Sequence, residues 1–479
     1  MMGAGWALRV VVALVAGATL AACSAERDAI DRAVLAEREW AAWSERPSTV
    51  EGPLTLERAV ALALERSLEL GLVRREAEIA REVLTSSRLA MMPSLLATAD
   101  QSWVSERRIS SSTSATTGRP SLEESFSSER DSFTGSVELA WSVLDFGVAF
   151  FRARQAGDRR DIVAQDLRRV AQKVALDATR AYCRAAANEG AVSAVVGLLK
   201  ELEARQAAVA RQVAERTISE RAGLQYEDSL VSIRIRLQEL RAEQREVRLQ
   251  LADLLALAPG AELEFAPVEA TVDPGELAGT LPALGQEALA SRPELVAQDA
   301  QERIAVDEVH ARIAQLFPSP VATLGLEYDN NPFLRHQSWL RAGVRVSWDL
   351  LRLPQRVSEV GEARDARELV RERRTMMAMG ILAQLELAAI GYQSAREAWR
   401  LAQEQASLRA RLLTATRKEQ ESGKLEPGAV LEAESSALFA QLRARFAYAD
   451  LLHARARIDN TVGRDPAGTP APAATPGPP

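Results

Sequence analysis

The side chains that most often carry catalysis or bind metals are few and scattered in this chain. The three histidines, His310, His336 and His453, are far apart in sequence. Gly423-Lys424 lacks the remaining residues of a phosphate-binding loop. Cys183 lies in an alanine-rich segment, where a thiol usually packs as a small apolar group. We therefore expect no catalytic site, no metal site and no cofactor.

Cys23 is the one cysteine whose surroundings indicate a reaction. It follows the apolar stretch 10–16 and the small residues of Leu20-Ala21-Ala22. Signal peptides end in small residues, and a cysteine directly after them resembles a bacterial lipobox, in which the thiol takes a diacylglycerol. We expect removal of residues 1–22 and lipidation, including palmitate, at Cys23. A chance cysteine in an ordinary secretory signal is the alternative, whereas the apolar stretch is shorter than the roughly 20 residues that cross a membrane.

The overall composition favours long helices. Aromatic residues make up 5% of the chain and alanine, leucine, arginine and glutamate dominate, which is typical of coiled coils. The formal net charge is -7, which argues against nucleic acid as a partner. With only two cysteines, no disulfide framework is indicated.

Two stretches alternate between apolar and polar residues, as a strand with one apolar face does. In the first, the odd positions from Phe133 to Val143 are mainly apolar, and in the second the even positions from Leu340 to Leu350 are apolar. Each stretch is followed by a long helical pattern. A strand that leads into so long a helix is unusual, and its recurrence indicates that the chain is built twice.

Paired landmarks support this internal duplication. Pro93-Ser94 recurs as Pro318-Ser319, and Trp141 recurs as Trp348. The interval from Pro93 to Pro318, which we call the long offset, exceeds the interval from Trp141 to Trp348, which we call the short offset. The difference means that the polar loop between the strands has shrunk in the second repeat.

The landmarks also set the boundaries of the domains. After the signal, we divide the chain into a strap at 23–53, a first repeat at 54–282 and a second repeat at 283–464. The Pro/Ala-rich tail at 465–479 is predicted to be disordered.

Each repeat is predicted to contain a helix, two strands and a long helical hairpin. In the first repeat, a helix capped by Thr55 runs to about Met92, and a polar loop at 107–131 separates the strands. A long helix then covers about Phe150–Glu215. Its return partner has apolar residues at heptad spacing, which favours a coiled coil. The seam comprises Leu230, Ile233, Leu237, Leu240, Gln244, Val247, Leu251 and Leu254, with Gln244 as its one polar interruption.

Four strands per chain cannot close a barrel, and open strand edges are not tolerated in a membrane. About eight strands give a barrel filled by its own side chains, so a water-filled lumen favours three chains and twelve strands. A helix of about 65 residues spans roughly 100 Å, enough to cross a compartment. Arg341 and Arg345 should face the lumen, or at worst a partner strand, because an arginine facing lipid at mid-depth costs about 2–4 kcal/mol.

Three segments resemble the outer-membrane factors of the TolC family. They are Leu54–Ala59, the strand-to-helix junction Trp141–Gly147, and Gly423 with Val430–Ala433. The resemblance covers about residues 54–464. It implies a mainly α fold with a small β part, as a homotrimer with a 12-stranded outer-membrane β-barrel and a periplasmic α-barrel. The function it implies is an exit duct for efflux or type I secretion, supplied by an inner-membrane pump through a periplasmic adaptor.

The resemblance also implies roles for particular residues. The two hairpin tips would dock the adaptor, with Ile218 and Leu425 as exposed apolar contacts. Glu432 matches an acidic position at the closed tunnel end, although a solvated glutamate on a helix face is an equal alternative. Arg216 stands where the family often has glycine, and the second junction, Leu351–Pro354, lacks the Asp-x-Gly of the first. The tip residues are Arg216, Thr217, Ile218, Ser219, Gly423, Lys424, Leu425 and Glu426.

A passive conduit in the outer membrane of a Gram-negative bacterium is therefore the leading hypothesis. The alternative is a lipid-anchored periplasmic coiled-coil adaptor or scaffold. Such a protein would share the hairpins but would not need two pairs of strands with a lipid-compatible face. A soluble enzyme with a helical insertion is disfavoured, because the sequence offers no catalytic cluster.

Overall fold

The computed structural model describes residues 31–466 except 108, 111–112, 115, 121–124, 259, 267–272, 278 and 422–426. The described chain is mostly helical with a small antiparallel sheet, as the sequence predicts. The helices are α1 (Arg32–Ser44), α2 (Leu56–Arg66), α3 (Leu68–Leu89), α4 (Val143–Ala214), α5 (Glu220–Leu254), α6 (Leu281–Ser291), α7 (Pro293–Ala314), α8 (Leu353–Glu421) and α9 (Pro427–Val462). The strands are β1 (Ser94–Trp103), β2 (Ile109–Ser110), β3 (Ser125–Phe126), β4 (Asp131–Ser142), β5 (Ser319–Asp329) and β6 (Ser338–Ser347).

The first long helix, α4, begins directly where β4 ends. Its predicted start at Phe150 is wrong by seven residues, because the Ser142 hydroxyl accepts a hydrogen bond from the Asp145 N–H at 3.1 Å and caps the helix at Val143. Asp145 lies in the first turn, where a carboxylate is favoured by the helix dipole. With 72 residues, α4 is about 108 Å long.

The second junction is built differently, in agreement with its different sequence. A single 3-10 turn at Leu350–Arg352 separates β6 from α8, and the Asp349 carboxylate accepts a hydrogen bond from the Arg352 N–H at 3.3 Å. The following helix, α8, has 69 residues. Both repeats therefore pass from a strand into a helix of comparable length, with a side-chain cap at the junction.

The predicted helix from Thr55 to Met92 is two helices. Thr55 caps α2 as expected, accepting a hydrogen bond from the Arg58 N–H at 3.2 Å. Ser67 then leaves the helical conformation, with ψ of 122°, and its hydroxyl caps α3 by accepting from the Leu70 N–H. Periodicity alone did not reveal this break, because the helical sequence pattern continues on both sides of Ser67.

The strap contains one helix within the described residues. Residues 32–44 form α1, capped by Asp31. The following residues run beside the connector that leaves α5, with isolated parallel bridges between Thr49 and Glu262 and between Leu54 and Phe265. The strap is thus held where it reaches the first repeat.

The four long strands form one antiparallel sheet in the order β1-β4-β5-β6. Ser94 pairs with Ala140 in the first hairpin, and Ser319 pairs with Ser347 in the second. Ser94 and Ser319 are separated by the long offset, and Ala140 and Ser347 by the short offset, so the duplication extends to the strand register. β2 and β3 form a separate short pair within the predicted polar loop.

The helices continue the strand order below the sheet. α3 packs against α4, α4 against α7, and α7 against α8. Further from the sheet, α4 pairs with α5, α8 pairs with α9, and α9 packs against α4 to join the two hairpins. The predicted seam of α5 is buried at Leu230, Ile233, Leu237, Leu240, Val247 and Leu251.

The folded chain extends slightly beyond the predicted start of the tail at residue 465. Gly463 has φ of 88° and lies against the backbone of Ser291 and Arg292, where a Cβ would be 3.1 Å from backbone atoms. Asp465 then forms an ion pair with Arg168 of α4 at 3.0 Å. Asp465, which the predicted boundary assigns to the tail, is therefore part of the folded chain. Residues 467–479 lie outside the described residues.

Candidate functional site

One face of the sheet is apolar and exposed. The register aligns Leu95 of β1, Leu139 of β4 and Leu324 of β5 in one row across three strands. Val344 on β6 is 74% exposed on the same face. A contiguous apolar surface of this kind marks contact with a membrane or another protein. Its exposed members are Leu95, Val137, Leu139, Trp141, Leu324, Leu326, Tyr328, Leu340, Val344 and Val346.

The opposite face of the sheet is polar. The hydroxyls of Thr98 and Ser136 are hydrogen-bonded at 2.7 Å across β1 and β4. On this face Arg341 forms an ion pair with Glu327 at 2.7 Å. Arg345 shares the face and makes no side-chain hydrogen bond or ion pair within the described residues. The sheet is thus apolar on one side and hydrophilic on the other, and the predicted lumen-facing role of both arginines fits the polar side.

Both edges of this sheet are open within the described part of the chain. β1 pairs only with β4, and β6 pairs only with β5. Each edge strand has ten residues, long enough to template pairing with another strand. An exposed apolar sheet with two free edges is incomplete as a single chain.

The helices at the two ends of the row also expose apolar residues. On α3 the exposed apolar residues are spaced four or seven positions apart in sequence, which places them on one side of the helix. α8 shows a similar set and contains an apolar stretch long enough to cross a membrane by composition alone, 33% of it buried. Because α8 packs against α7 on its other side, its exposed stripe indicates helix–helix contact. The residues are Leu68, Leu72, Ile79 and Val83 on α3, and Leu369, Met376, Met379, Leu387 and Ile390 on α8.

Aromatic side chains cluster where the strands meet the helices. Trp141 and Phe146 are in edge-to-face contact, with ring centroids 6.0 Å apart. Trp348 donates its indole N–H to the Leu316 carbonyl at 3.2 Å. Both tryptophans are about half exposed, with 44% and 52% of their surfaces accessible. Amphipathic rings at this level suit a boundary between lipid and water.

The first hairpin tip lies between α4 and α5, at residues 215–219. Ser219 caps α5 by accepting a hydrogen bond from the Ala222 N–H, and the Thr217 hydroxyl donates to the Gln212 carbonyl at 2.9 Å. Arg216 has φ of 58°, the left-handed conformation that favours glycine. The tip therefore has the turn geometry that a glycine would supply, with an arginine in its place.

Ile218 is not the exposed apolar contact that the sequence suggested. It is partly buried and packs against the core cluster that includes Leu202 and Tyr226. The Tyr226 hydroxyl donates to the Leu202 carbonyl at 2.7 Å and fixes this cluster just above the turn. Burial of Ile218 follows from the close approach of the two helices, which sequence spacing does not show.

The second hairpin tip, Gly423-Lys424-Leu425-Glu426, lies outside the described residues. Beyond it, Glu432 is exposed on α9, and the described residues include no ion-pair partner for its carboxylate. Its role at a closed tunnel end stays a prediction.

Glu434, two residues further along α9, is an acidic site that sequence reasoning missed. It is 5% exposed, and its carboxylate forms ion pairs with Arg205 of α4 at 3.1 Å and Arg417 of α8 at 2.8 Å. The three side chains come from three different helices. No local spacing could indicate this site, because Arg205 is 229 residues away in sequence.

Near the middle of α4, a hydrogen bond fixes the chain where the strap passes into the first repeat. The Tyr182 hydroxyl donates to the Leu54 carbonyl at 2.9 Å. The neighbouring Cys183 is 4% exposed, as expected of a small packed thiol, and burial raises the pKa of Cys183 to about 12. Cys23, the predicted lipidation site, lies outside the described residues.

The comparisons with known proteins agree with this architecture. The profile of the family described as "Outer membrane efflux protein" matches residues 284–464, which is the second repeat. No protein of curated function matches the sequence.

Several solved channel structures share the fold over most of their length. The outer-membrane channel OprN is 15% identical with a TM-score of 0.69, covering 88% of this chain and 95% of OprN. CusC is 13% identical with a TM-score of 0.71, covering 85% of this chain and 92% of CusC. The MtrE outer membrane channel of Neisseria gonorrhoeae, in its open state, is 17% identical with a TM-score of 0.68, covering 85% of this chain and 89% of MtrE. At these identities the likeness establishes the fold.

Proposed function

We propose that the protein is a passive exit duct, because residues 284–464 match the family described as "Outer membrane efflux protein" and the chain shares the fold of outer-membrane channels. It would conduct solutes across the outer membrane as a homotrimer, supplied by an inner-membrane pump through a periplasmic adaptor. The observation that carries this proposal is the four-stranded sheet, apolar on one face, polar on the other and open at both edges.

Membrane insertion of such a sheet requires further copies of the chain. Unpaired backbone groups at a strand edge cost several kcal/mol each in lipid, so the edges must be paired. Two copies supply eight strands, which side chains fill, whereas three supply twelve and leave room for a lumen. The apolar face would then contact lipid, and the polar face carrying Arg341 and Arg345 would line the lumen.

The long helices supply the second half of a conduit. At about 108 Å, α4 extends far beyond what the core of a single domain needs. The row of helices follows the strand order, so copies that close the sheet also bring α8 of one chain to α3 of the next. Their exposed apolar stripes would be buried there, forming a helical tunnel that continues the lumen into the periplasm.

The sheet also distinguishes a conduit from a lipid-anchored adaptor or scaffold. Either protein could use the two helical hairpins. Only a membrane-inserted protein needs strands that expose a continuous apolar face, such as Leu139 and Val344, outside its own core. This face favours the conduit.

Lipidation at Cys23 is compatible with the length of the strap. The contact of Tyr182 with Leu54 lies well along α4 from Val143, about 59 Å below the sheet. The segment from Leu54 back to Cys23 includes α1, whose 13 residues span about 20 Å. The rest of that segment, about 18 residues, spans at most about 60 Å when extended. Cys23 can therefore reach the membrane surface at the strand–helix junction.

A variant with Cys23→Ser tests membrane insertion separately from lipid anchoring. Acyl labelling should disappear, because the thiol that takes the lipid is gone. The variant should nevertheless stay in the outer-membrane fraction and require detergent for extraction as a trimer. Release into the soluble fraction as a monomer would instead favour the lipid-anchored scaffold, and undiminished acyl labelling would refute the modification at Cys23.

The first hairpin tip, at residues 215–219, lies at the end of α4 that is remote from the sheet, and we propose that the adaptor docks at the two tips. Because Ile218 is packed, its substitution would disturb the hairpin itself. Leu425→Asp is the sharper test, with Leu412→Asp on the exposed side of α8 as the matched control. Leu425→Asp should reduce adaptor recovery in a pull-down while trimer levels stay normal. Equal recovery of adaptor by both variants and the wild type would contradict docking at the tip.

A further inference from the structure

Arg345 and Asp100 are charged residues on the two free edges of the sheet. Arg345 lies on β6 and Asp100 on β1, both exposed and both on the polar face. Within the described residues neither side chain has a hydrogen-bond or ion-pair partner. Both residues lie on edge strands whose outer sides are unpaired within the described residues, so a strand added at either edge would lie next to one of them.

The internal duplication specifies how that edge is filled. The first hairpin maps onto the second by the long offset from β1 to β5, as Ser94 to Ser319 shows, and by the short offset from β4 to β6, as Ala140 to Ser347 shows. Between the hairpins, β4 pairs with β5. If a closed ring repeats this arrangement, β6 of one copy meets β1 of the next as β4 meets β5 within a copy.

The register of this new pair follows from one observed partnership. Glu138 of β4 pairs with Gly325 of β5. Moving Glu138 forward by the short offset gives Arg345, and moving Gly325 back by the long offset gives Asp100. The two unpartnered charges are therefore placed directly opposite each other. Neither charge was used to derive the alignment, so their opposite signs are an independent agreement.

A second agreement comes from the alternation of strand faces. A slip of one residue would turn every side chain of one strand to the other face. In the derived register, Arg345 of the polar face meets Asp100 of the polar face, and Val344 of the apolar face meets Gln101, which shares the apolar side of β1 with Leu95. The polar and apolar faces thus continue unbroken across the seam.

We propose that β6 pairs with β1 of a second copy of this chain in a register that sets Arg345 opposite Asp100, forming one ion pair at each seam. The proposal rests on the proposed oligomeric conduit and adds its seam register. It also explains how an arginine is tolerated at a sheet edge within the membrane, since each copy neutralises its neighbour's charge. Oppositely charged pairs directly across antiparallel strands are favourable, and like charges there are not.

Disulfide trapping tests the register directly. Directly opposed residues of antiparallel strands have Cα atoms about 4.5–5.5 Å apart, within the range that a disulfide bridges. In a Cys183→Ala background, Asp100→Cys with Arg345→Cys should give covalent dimers and trimers on a denaturing, non-reducing gel. Each single variant is a control. Asp100→Cys with Val344→Cys, whose side chains point to opposite faces, should not cross-link.

A charge exchange supplies a measurement that does not depend on thiols. Asp100→Arg and Arg345→Asp should each lower the temperature at which trimers dissociate, and the double variant should restore it. Preferential cross-linking of Arg345→Cys to Thr98→Cys or Ser102→Cys would overturn the register while leaving the trimer intact. Absence of any trimer in the wild type would overturn the proposed conduit, and the seam with it.

Discussion

The Glu434 carboxylate and the Arg205 guanidinium form an ion pair at 3.1 Å that joins the two helical hairpins of one chain. Arg417 completes the site at 2.8 Å. The side chain of Glu434 is 4% exposed, whereas those of the two arginines are 48% and 54% exposed. The carboxylate is thus removed from water and compensated by two cations, so removing its charge should loosen the hairpins where they approach their tips.

The first prediction concerns this joint. Glu434→Gln keeps the shape of the side chain and removes its charge, which should cost about 2 kcal/mol, since hydrogen bonds to charged groups contribute about that much. Hydrogen exchange measured by mass spectrometry should become faster in 429–440 and around Arg205. Glu432→Gln, an exposed neighbour on the same helix, is the control and should leave exchange unchanged. Equal protection in both variants would show that the ion pairs do not hold the hairpins together.

A second prediction concerns Glu432 itself. If three copies of its carboxylate surround the axis near the tips, they attract cations in a narrow pore. Glu432→Lys should then weaken or reverse cation selectivity in planar bilayers at low salt. The difference should shrink at 1 M salt, where the Debye length falls to about 3 Å. Wild-type selectivity at low salt in this variant would place Glu432 on the outside of the tunnel.

The third prediction concerns the strained turn at Arg216. A non-glycine residue in the left-handed conformation costs about 1–2 kcal/mol, so Arg216→Gly should raise the melting temperature. Glu215 is the matched control, because its φ of -78° is ordinary helical backbone and glycine there gains nothing. Glu215→Gly should therefore lower the melting temperature or leave it unchanged. A fall in stability for Arg216→Gly would mean that contacts of the arginine outweigh the strain.

Much of the fold follows from local sequence patterns. Alternation around Trp141 and Leu340 predicted the strands, and paired landmarks predicted the duplication that the register then reproduced. These features depend on periods of two and 3.6 residues, which a sequence shows directly. The predicted start of α4 was wrong, because a single hydrogen bond from the Asp145 N–H to the Ser142 hydroxyl sets where the helix begins.

The parts that sequence reasoning missed depend on distant contacts. Glu434 and Glu432 look equivalent in sequence, yet only Glu434 meets arginines from two other helices within the described residues. Ile218 is apolar at a turn, and whether it is exposed depends on how closely α4 and α5 approach. The polar-face position of Arg345 was predictable from alternation, whereas its proposed partner required the register of the whole sheet.

The fourth prediction concerns pH. Burial lowers the pKa of His453, with Arg180 and Arg457 acting in the same direction, while Asp450 and Asp177 oppose the shift. The folded protein therefore favours the neutral imidazole, and stability that is present above the ordinary pKa of about 6.5 is lost as the pH falls. Between pH 7.5 and pH 5, the melting temperature of His453→Gln should depend less on pH than that of the wild type.

His336, exposed in the loop between β5 and β6, supplies the control for this measurement. His336→Gln should keep the pH dependence of the wild type. Asp307 contributes with the opposite sign, because burial raises its pKa and the stability it contributes is lost as the pH rises. The difference between His453→Gln and the wild type isolates the histidine from this background. If the melting temperatures of His453→Gln and the wild type differ by the same amount at every pH, a buried neutral His453 is contradicted.

The central claim, that several copies of this chain form a conduit, is tested most directly by single-channel recording. Purified Cys23→Ser protein, reconstituted in planar bilayers without any lipid anchor, should insert as trimers and give discrete steps of ionic current. The wild-type protein, with the anchor intact, should give steps of the same size, because the lipid plays no part in the pore. A protein that remains monomeric and gives no current in either form would contradict the account.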